Sequence, residues 1–333
     1  MVKTRVVAEI GVNHNGDVEL ARRIIDMAAD AGADAVKFQT FLADRLATGH
    51  AAKAAYQIAN TGSNESQQSM LRSLELSRDA HEQLFAHCRS VGIDFLSTPM
   101  DEQSAEFLVS LGVKAIKVGS GDLTNLPFLE FLDQFGLPLY VSTGMSTLDD
   151  VRNAVEVIKR SDLLLMHCTS NYPAAFAEIN LRAMATMADT FHVPVGYSDH
   201  SLGSQVATCA VALGATLIEK HVTVDKSLPG PDQRASMDGP EFRAFVQAIR
   251  TTEDLLGDGV KRPMPSELET RQLVRRSLVT TRSLPAGYIL EFDDLAAKRP
   301  GTGIEPGRLS TIVGRKLTRA VASDTVLQEG DLA

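Results

Sequence analysis

The sequence predicts an α/β protein in which a closed (β/α)8 TIM barrel is followed by a small, mainly β domain. Eight short apolar runs alternate with amphipathic helical patterns over residues 1–256, which is typical of a parallel sheet covered by helices. A length of about 250 residues is usual for a barrel of eight such units. After residue 275 the pattern changes to short β-like runs separated by turns. An open doubly wound sheet is the alternative for the first domain, because a strand count alone does not prove closure.

The eight predicted strands share a short apolar run, and helical patterns lie between most of them. The strands are Val6–Glu9, Ala35–Gln39, Phe95–Thr98, Ala115–Val118, Leu139–Ser142, Leu163–Cys168, Val195–Ser198 and Leu217–His221. The helical patterns include Val18–Ala31, Arg78–Val91, Asp101–Leu111, Thr147–Lys159, Gly203–Leu213 and Pro240–Leu256. Glycines at 32, 112 and 214 separate a helical pattern from the next strand, as expected of left-handed helix caps.

Two segments interrupt this alternation. Residues 41–76 follow the second strand without a regular pattern, and a loop of this length at a barrel mouth is usually functional or disordered. Residues 257–275 are polar and contain Pro263 and Pro265, so we expect a linker there between the barrel and the second domain.

The second domain, residues 276–333, contains a weak internal repeat. Residues 283–295 resemble residues 320–332, because each places a turn, two apolar residues and a terminal Asp-Leu at matching offsets. The repeat predicts a small pseudo-symmetric β domain. A domain of this size is only marginally stable alone, so we expect it to lean on the barrel or on a second subunit.

The composition excludes several classes of function. The net charge of −9 over 333 residues argues against nucleic acid as the main partner. No apolar run reaches the roughly 18 residues of a membrane span. The start of the chain lacks a signal-peptide pattern, and the 3 cysteines are far apart with no Cys-X-X-Cys pair. These features predict a cytoplasmic protein without a membrane partner.

Two histidines mark the end of the barrel where active sites are expected. His200 and His221 follow the seventh and eighth strands, and the carboxyl ends of parallel strands meet at one edge. Two imidazoles leave positions around an ion to water or substrate, which suits Mn²⁺ or Mg²⁺ in a Lewis-acid role better than structural zinc. A hydrogen-bonded structural histidine at each position is the alternative.

Lysines and hydroxyl residues at the same edge predict an anion site. From spacing alone, Lys117, Ser120 and Ser142 are the phosphate candidates, because an ammonium group, hydroxyls and loop N–H groups satisfy phosphate oxygens. Lys37 lies within an apolar strand and therefore needs a partner. Asp232, in a proline-flanked loop after the eighth strand, fits either a contact to a polyol or a turn.

Seven motifs, taken together in order and spacing, resemble the sialic acid synthase family of the N-acetylneuraminate and legionaminate type. They are Glu9-Ile10-Gly11-Val12-Asn13-His14-Asn15-Gly16, Lys37-Phe38-Gln39-Thr40, Lys117-Val118-Gly119-Ser120-Gly121, Ser142-Thr143-Gly144-Met145, Tyr197-Ser198-Asp199-His200, Glu219-Lys220-His221 and Gly230-Pro231-Asp232. The resemblance runs from residue 6 to the C-terminus and identifies residues 276–333 as an antifreeze-like SAF domain. It implies an enzyme that condenses phosphoenolpyruvate with an N-acetylated mannosamine-type sugar and releases phosphate.

The resemblance also implies a role for each matching position. Phosphoenolpyruvate would be held by Lys37, Thr98, Lys117, Ser120, Ser142 and Ser198, and the sugar by Gln39, Asn64, Tyr172, Asp232 and Arg299. His200 and His221 would bind the divalent metal, and Glu9 and Asp122 would be the catalytic carboxylates. A domain-swapped homodimer is implied as well, in which the SAF domain of one subunit brings Arg299 to the sugar site of the other. Gln233 departs from the family, which often has histidine there.

We therefore expect a nonulosonic acid synthase that makes N-acetylneuraminate or a related 2-keto sugar acid. The alternative acceptor is 2,4-diacetamido-2,4,6-trideoxymannose, which gives N,N'-diacetyllegionaminate. A pseudaminate synthase fits less well, because residues 56–62 resemble the other two branches. Two hypotheses from other classes are a metal-independent Schiff-base aldolase, which would use Lys37, Lys117 or Lys220, and a non-catalytic glycan- or ice-binding protein.

Overall fold

A computed structural model describes residues 3–53, 57, 58, 60 and 65–333. The chain divides into two compact units, Met1–Asp258 and Gly259–Ala333. In the first unit, eight parallel strands form a nearly closed barrel with helices on its outside, which confirms the predicted TIM-type fold. Within the described ranges, no helix has both the length and the apolar content needed to cross a membrane.

The barrel strands coincide with the predicted ones to within about two residues. They are β1 (Arg5–Gly11), β2 (Ala35–Thr40), β3 (Asp94–Pro99), β4 (Ile116–Val118), β5 (Leu139–Ser142), β6 (Leu163–Cys168), β7 (Val195–Asp199) and β8 (Leu217–His221). Hydrogen bonds join them in the order β3-β2-β1-β8-β7-β6-β5-β4. Strands β3 and β4 also lie next to each other, which brings the two ends of the sheet together.

Helices connect these strands around the outside of the barrel. Those with described bounds are α1 (Val18–Asp30), α2 (Ala43–Leu46), α3 (Gln67–Leu74), α4 (Arg78–Val91), α5 (Glu102–Leu111), α6 (Leu126–Asp133), α7 (Leu148–Val157), α8 (Arg182–Phe191), α9 (Gln205–Ala212) and α10 (Gly239–Leu256). Helices α2 and α3 occupy part of the segment 41–76, so that segment is not the continuous loop that we expected. Asn64, a predicted sugar ligand in the same segment, lies outside the described residues.

Besides α2 and α3, helices α6 and α8 have no counterpart among the helical patterns predicted from the sequence. Helix α6 is apolar along most of its length, so its pattern lacks a clear helical period. Helix α8 begins without a side-chain cap, which removes the usual start signal. Both fill the expected places between consecutive strands of the barrel.

Apolar side chains of the barrel unit form two layers because side chains alternate across each strand. The outward-facing set packs against the helices and makes the main core. The inward-facing set, which we call the barrel floor, consists of Val7, Ala35, Leu96, Ala115, Tyr140, Leu164, Met166 and Leu217. On β7 the corresponding position is Gly196, where a Cβ atom would lie 2.7 Å from the Leu217 carbonyl oxygen. The floor fills the barrel interior below the carboxyl ends of the strands.

The second unit is a small, mainly irregular β domain with its own core. Its regular elements are α11 (Leu268–Val274), β9 (Ser277–Thr280), β10 (Leu295–Lys298) and α12 (Leu309–Ile312), with β9 and β10 antiparallel. Helix α11 lies within residues 257–275, so the expected linker is partly helical. A separate apolar cluster includes Leu278, Ile312 and Leu327.

The two halves of this unit repeat one contact. The guanidinium of Arg282 donates from Nε to Asp294 at 2.8 Å, and that of Arg319 donates from Nε to Asp331 at 2.6 Å. Each aspartate also accepts a backbone N–H from the residue three positions before it. The structure therefore shows the internal repeat that the sequence predicts.

Candidate active site

A polar layer of side chains lies directly above the barrel floor. On each strand, the residue two positions after the floor position again faces the barrel interior. Each strand contributes one residue to this layer: Glu9, Lys37, Thr98, Lys117, Ser142, Cys168, Ser198 and Glu219. Their exposed fractions range from 1% to 6%, so four ionisable acid and base side chains are buried here. Four charged side chains are tolerated at this depth only if positive and negative charges are paired.

The charges of the polar layer alternate in sign. The Lys37 ammonium lies 2.9 Å from Glu9 Oε2 and 3.8 Å from Glu219 Oε1. The Lys117 ammonium lies 4.0 Å from Glu219 Oε2. Glu9 and Lys37 are register partners on neighbouring strands, and the contacts link the four groups in the order Glu9, Lys37, Glu219 and Lys117. Each buried cation thus has a carboxylate within 4 Å.

Hydroxyl groups complete the layer. Lys37 donates to Thr98 Oγ1 at 3.2 Å, and Lys117 donates to Ser142 Oγ at 2.6 Å. The Ser198 hydroxyl donates to Glu219 Oε1 at 3.1 Å. These contacts bring five of the six predicted phosphoenolpyruvate ligands into one connected network.

The sixth ligand, Ser120, lies at the rim beside Gly144. The Gly144 N–H donates to Ser120 Oγ at 3.0 Å. A Cβ atom on Gly144 would lie 2.8 Å from Ser120 Oγ and would also collide with Ser170 Oγ. Both hydroxyls therefore converge on the bare face of Gly144. A backbone glycine beside two hydroxyls is a suitable cradle for phosphate oxygens.

The pKa values of the two buried carboxyl groups shift in opposite directions. Burial raises the pKa of Glu9 to about 7, with Lys37 opposing the rise and Glu219 adding to it. Burial alone would also raise the pKa of Glu219, but Lys117 and Lys37 outweigh it and lower that pKa. Near neutral pH, Glu219 therefore stays ionised while Glu9 can exchange a proton.

The two histidines lie one inward position above the polar layer. Their ring centroids are 5.6 Å apart. His200 donates from Nδ1 to the Thr169 carbonyl oxygen at 2.8 Å, which leaves its Nε2 atom for a ligand. The ring of Tyr172 lies 4.0 Å from that of His200 and 5.5 Å from that of His221, between centroids.

This pair can hold a cation with two protein ligands. Nδ1 of His221 is buried and has no hydrogen-bond partner within the described part of the chain. No group of three or more His, Cys, Asp or Glu residues in that part has the geometry of a metal site. Water or substrate oxygens would therefore have to supply the remaining ligands, as the sequence predicts.

The predicted sugar ligands Gln39 and Asp232 also lie at this mouth. Gln39 donates from Nε2 to Glu9 Oε1 at 3.1 Å. Asp232 is buried, and its Oδ1 atom has no hydrogen-bond partner among the residues that the structure describes. Burial raises the pKa of Asp232 to about 6, and nearby His200 opposes the rise. A buried acceptor without a partner is suited to a ligand hydroxyl.

Gln233, the departure from the family pattern, holds this loop in place. Its Nε2 atom donates to the Asn13 carbonyl oxygen at 2.8 Å, and its Oε1 atom accepts from the Thr223 hydroxyl. The side chain is fully buried. Gln233 therefore ties the loop that contains Asp232 to the end of β1.

Two further predicted site residues lie in the turn after β4 and on the second unit. Asp122 is half-buried in the turn after β4 and accepts a hydrogen bond from Asn125 at 3.3 Å. Burial raises the pKa of Asp122. Arg299 is exposed on the second unit. Their proposed roles remain predictions.

Three residues of the site were given no role by the sequence analysis. Glu219 pairs with both lysines, Cys168 Sγ lies 3.7 Å from His200 Nδ1, and Ser170 faces Gly144. Each lies two or four positions after a floor residue on its strand. Counting two and four residues forward from each floor residue along the sequence would have identified all three.

Comparison with known proteins agrees with the motifs. Residues 24–261 match the NeuB family and residues 275–333 match the SAF domain. The chain is 50% identical to the N,N'-diacetyllegionaminic acid synthase of Legionella pneumophila, over 97% of this chain and 92% of that protein. It is 42% identical to the enzyme of the same name from Campylobacter jejuni, over 99% of this chain and 100% of that protein. The crystal structure of a Leptospira borgpetersenii N-acetylneuraminic acid synthetase superimposes with a TM-score of 0.71 at 33% identity, covering 80% of this chain and 90% of that chain.

The cradle at Gly144 can be tested by adding one methyl group. In Gly144→Ala the new Cβ must displace the hydroxyls of Ser120 and Ser170. We expect the dissociation constant of inorganic phosphate, measured by calorimetry, to rise about tenfold, the usual effect of losing one hydrogen bond to a charged group. Gly121→Ala is the matched control, because a Cβ there meets no atom within 4 Å. Equal phosphate affinities in both variants would contradict the cradle.

Proposed function

This chain belongs to the NeuB family, and we propose that it joins phosphoenolpyruvate to 2,4-diacetamido-2,4,6-trideoxymannose, giving N,N'-diacetyllegionaminate and phosphate. The reaction class, a phosphoenolpyruvate-dependent condensation that makes a nonulosonic acid, is supported by the family and by the polar layer with its two buried lysines. The choice of acceptor rests on the relatives. Both diacetyllegionaminic acid synthases are more similar to this chain than the neuraminic acid synthetase is. N-Acetylmannosamine is thus the second candidate acceptor.

Phosphoenolpyruvate brings a phosphate and a carboxylate into the polar layer. Lys37 and Lys117 supply the positive charge, and the hydroxyls of Thr98, Ser120, Ser142 and Ser198 supply further hydrogen bonds. The lysines are already held by the carboxylates and hydroxyls around them. Their side-chain entropy is therefore lost on folding rather than on substrate binding, which favours affinity.

The carboxylates act on the charge that develops during condensation. As the enol carbon of phosphoenolpyruvate attacks the sugar aldehyde, positive charge develops on the adjacent carbon, and water then adds there. Glu219, held ionised by two lysines, stabilises that charge electrostatically. Glu9, with a pKa near 7, accepts the proton of the attacking water. Asp122 is the alternative base. The tetrahedral adduct then loses phosphate by C–O cleavage.

The two histidines suit a divalent cation, for which we propose Mn²⁺ or Mg²⁺. When bound, such an ion supplies Lewis-acid polarisation of the acceptor aldehyde. His200 is fixed by its hydrogen bond to Thr169, and Tyr172 packs against both imidazoles. Gln39 and Asp232 are available for sugar hydroxyl and amide groups, since Asp232 Oδ1 has no hydrogen-bond partner among the described residues.

The SAF match supports a homodimer in which Arg299 of one subunit contacts the sugar in the other. Arg299 is exposed, and so are the apolar residues Leu268 and Leu273 of α11, which a partner surface would cover. We place the enzyme in the cytoplasm, where its 3 free cysteines stay reduced.

Acceptor choice and metal use are tested by one assay of phosphate release. We expect kcat/KM with the diacetamido sugar to exceed that with N-acetylmannosamine at least about tenfold, the discrimination expected from a few additional contacts. Chelation followed by gel filtration should abolish release, and added Mn²⁺ should restore it. Release without metal would contradict the metal role. Condensation of the sugar with free pyruvate, without phosphate release, would favour the Schiff-base alternative, in which Lys117, with a pKa lowered by burial, is the candidate amine. No phosphate release with either sugar would refute the proposal.

The role of Glu9 predicts a pH profile. Because burial raises the Glu9 pKa to about 7 and a base must be ionised, kcat/KM should rise with pH, with a midpoint near 7. In Glu9→Gln we expect kcat to fall by about 10²- to 10⁴-fold and this acid limb to disappear. Exposed Glu241 offers a control, since Glu241→Gln changes a carboxylate outside the barrel interior. An unchanged acid limb in Glu9→Gln would assign the titration to another group.

A further inference from the structure

A buried ion pair joins the two strands that carry the histidines. Asp199 and Lys220 are 1% and 2% exposed, and Lys220 Nζ lies 2.9 Å from Asp199 Oδ2. They are register partners between β7 and β8. Each directly precedes a histidine, so alternation turns both away from the barrel interior and towards the surrounding helices. Within the described residues, the hydrogen bonds of Asp199 and Lys220 go to each other and to Ser201, and none goes to the polar layer.

The same pair fixes the turn that contains His200. Asp199 Oδ1 accepts hydrogen bonds from the Ser201 N–H at 2.9 Å and the Ser201 hydroxyl at 2.7 Å. Lys220 Nζ donates to the Ser201 carbonyl oxygen. The residues on both sides of His200 are therefore tied to one ammonium group on β8. We call Asp199, Ser201 and Lys220 the strand clamp.

A helix on the outside of the barrel also contacts the strand clamp. The Lys220 ammonium lies 5.7 Å from the ring centroid of Phe245 on α10, within the range of a cation–π contact. On the other side of the turn, the His200 side chain is anchored to Thr169 at the end of β6. Backbone and side chain of His200 are thus fixed independently, which leaves the imidazole little freedom to move relative to His221.

We propose that Asp199 and Lys220 are positioning residues whose clamp sets the separation of the His200 and His221 imidazoles, and thereby the affinity for the divalent cation. This inference rests on the metal site of the proposed function. Groups that orient metal ligands typically change affinity by about 10- to 100-fold when they are lost. A purely structural role would instead lower stability without a specific effect on the metal.

The test measures Mn²⁺ binding without substrates, by the electron paramagnetic resonance signal of free Mn²⁺. We expect Asp199→Asn, Lys220→Met and the double variant to raise the Mn²⁺ dissociation constant about 10- to 100-fold. The dissociation constant for phosphoenolpyruvate, measured by calorimetry without metal, should stay within about threefold, because the clamp side chains face the helices and, in the described part of the chain, make no hydrogen bond to the polar layer. The double variant leaves no unpaired buried charge, so it remains informative if a single variant fails to fold.

Arg250→Met is the matched control. It breaks a 2.6 Å contact with Asp34 at the opposite, amino-terminal edge of the barrel. It should lower the melting temperature and leave Mn²⁺ affinity unchanged. Wild-type Mn²⁺ affinity in a folded double variant would overturn the clamp, and so would an equal loss of affinity in Arg250→Met. Wild-type protein that binds no Mn²⁺ would overturn the metal site itself and the clamp with it.

Discussion

The structure depends on burying four charges inside an apolar barrel. Two carboxylates and two ammonium groups can lie there because each cation has a carboxylate within 4 Å and hydroxyls complete the hydrogen bonding. An isolated charge at this depth would cost several kcal/mol. The four groups are brought together by strands of the barrel, so the charge network depends on the barrel fold.

Depth along the barrel corresponds to chemical role. On β8, Leu217 belongs to the floor, Glu219 to the polar layer and His221 to the mouth. On β7 the series is Gly196, Ser198 and His200. The alternate positions, Asp199 and Lys220, face the helices and tie the same two strands together. A single two-residue period therefore separates the apolar floor, the proposed anion site, the proposed metal site and the proposed strand clamp.

Much of this arrangement could be predicted from the sequence. Alternating apolar runs and helical patterns are sufficient to predict the barrel. The positions of Lys37, Lys117, His200 and His221 in or just after predicted strands indicated that they belong to the site. The structure brings these residues together as expected. Their substrate and metal roles remain proposals.

Other features needed the register between strands. Glu219 and Lys220 are adjacent charged residues in one buried strand, and only the register shows that Glu219 faces inward while Lys220 faces the helices. Gln233 stands where the family often has histidine, and the structure shows that it anchors the loop of Asp232. Helix α6 lacked a readable period because it is apolar along most of its length.

The central claim is that the buried lysines of the polar layer bind phosphoenolpyruvate. The most direct test is calorimetric titration of phosphoenolpyruvate into Lys117→Met beside Lys114→Met, whose lysine is exposed on the same chain segment and pairs with Asp94. The account predicts a dissociation constant raised about 100-fold in Lys117→Met, as for the loss of a buried charged partner, and one close to wild type in Lys114→Met. Wild-type affinity in Lys117→Met would contradict it.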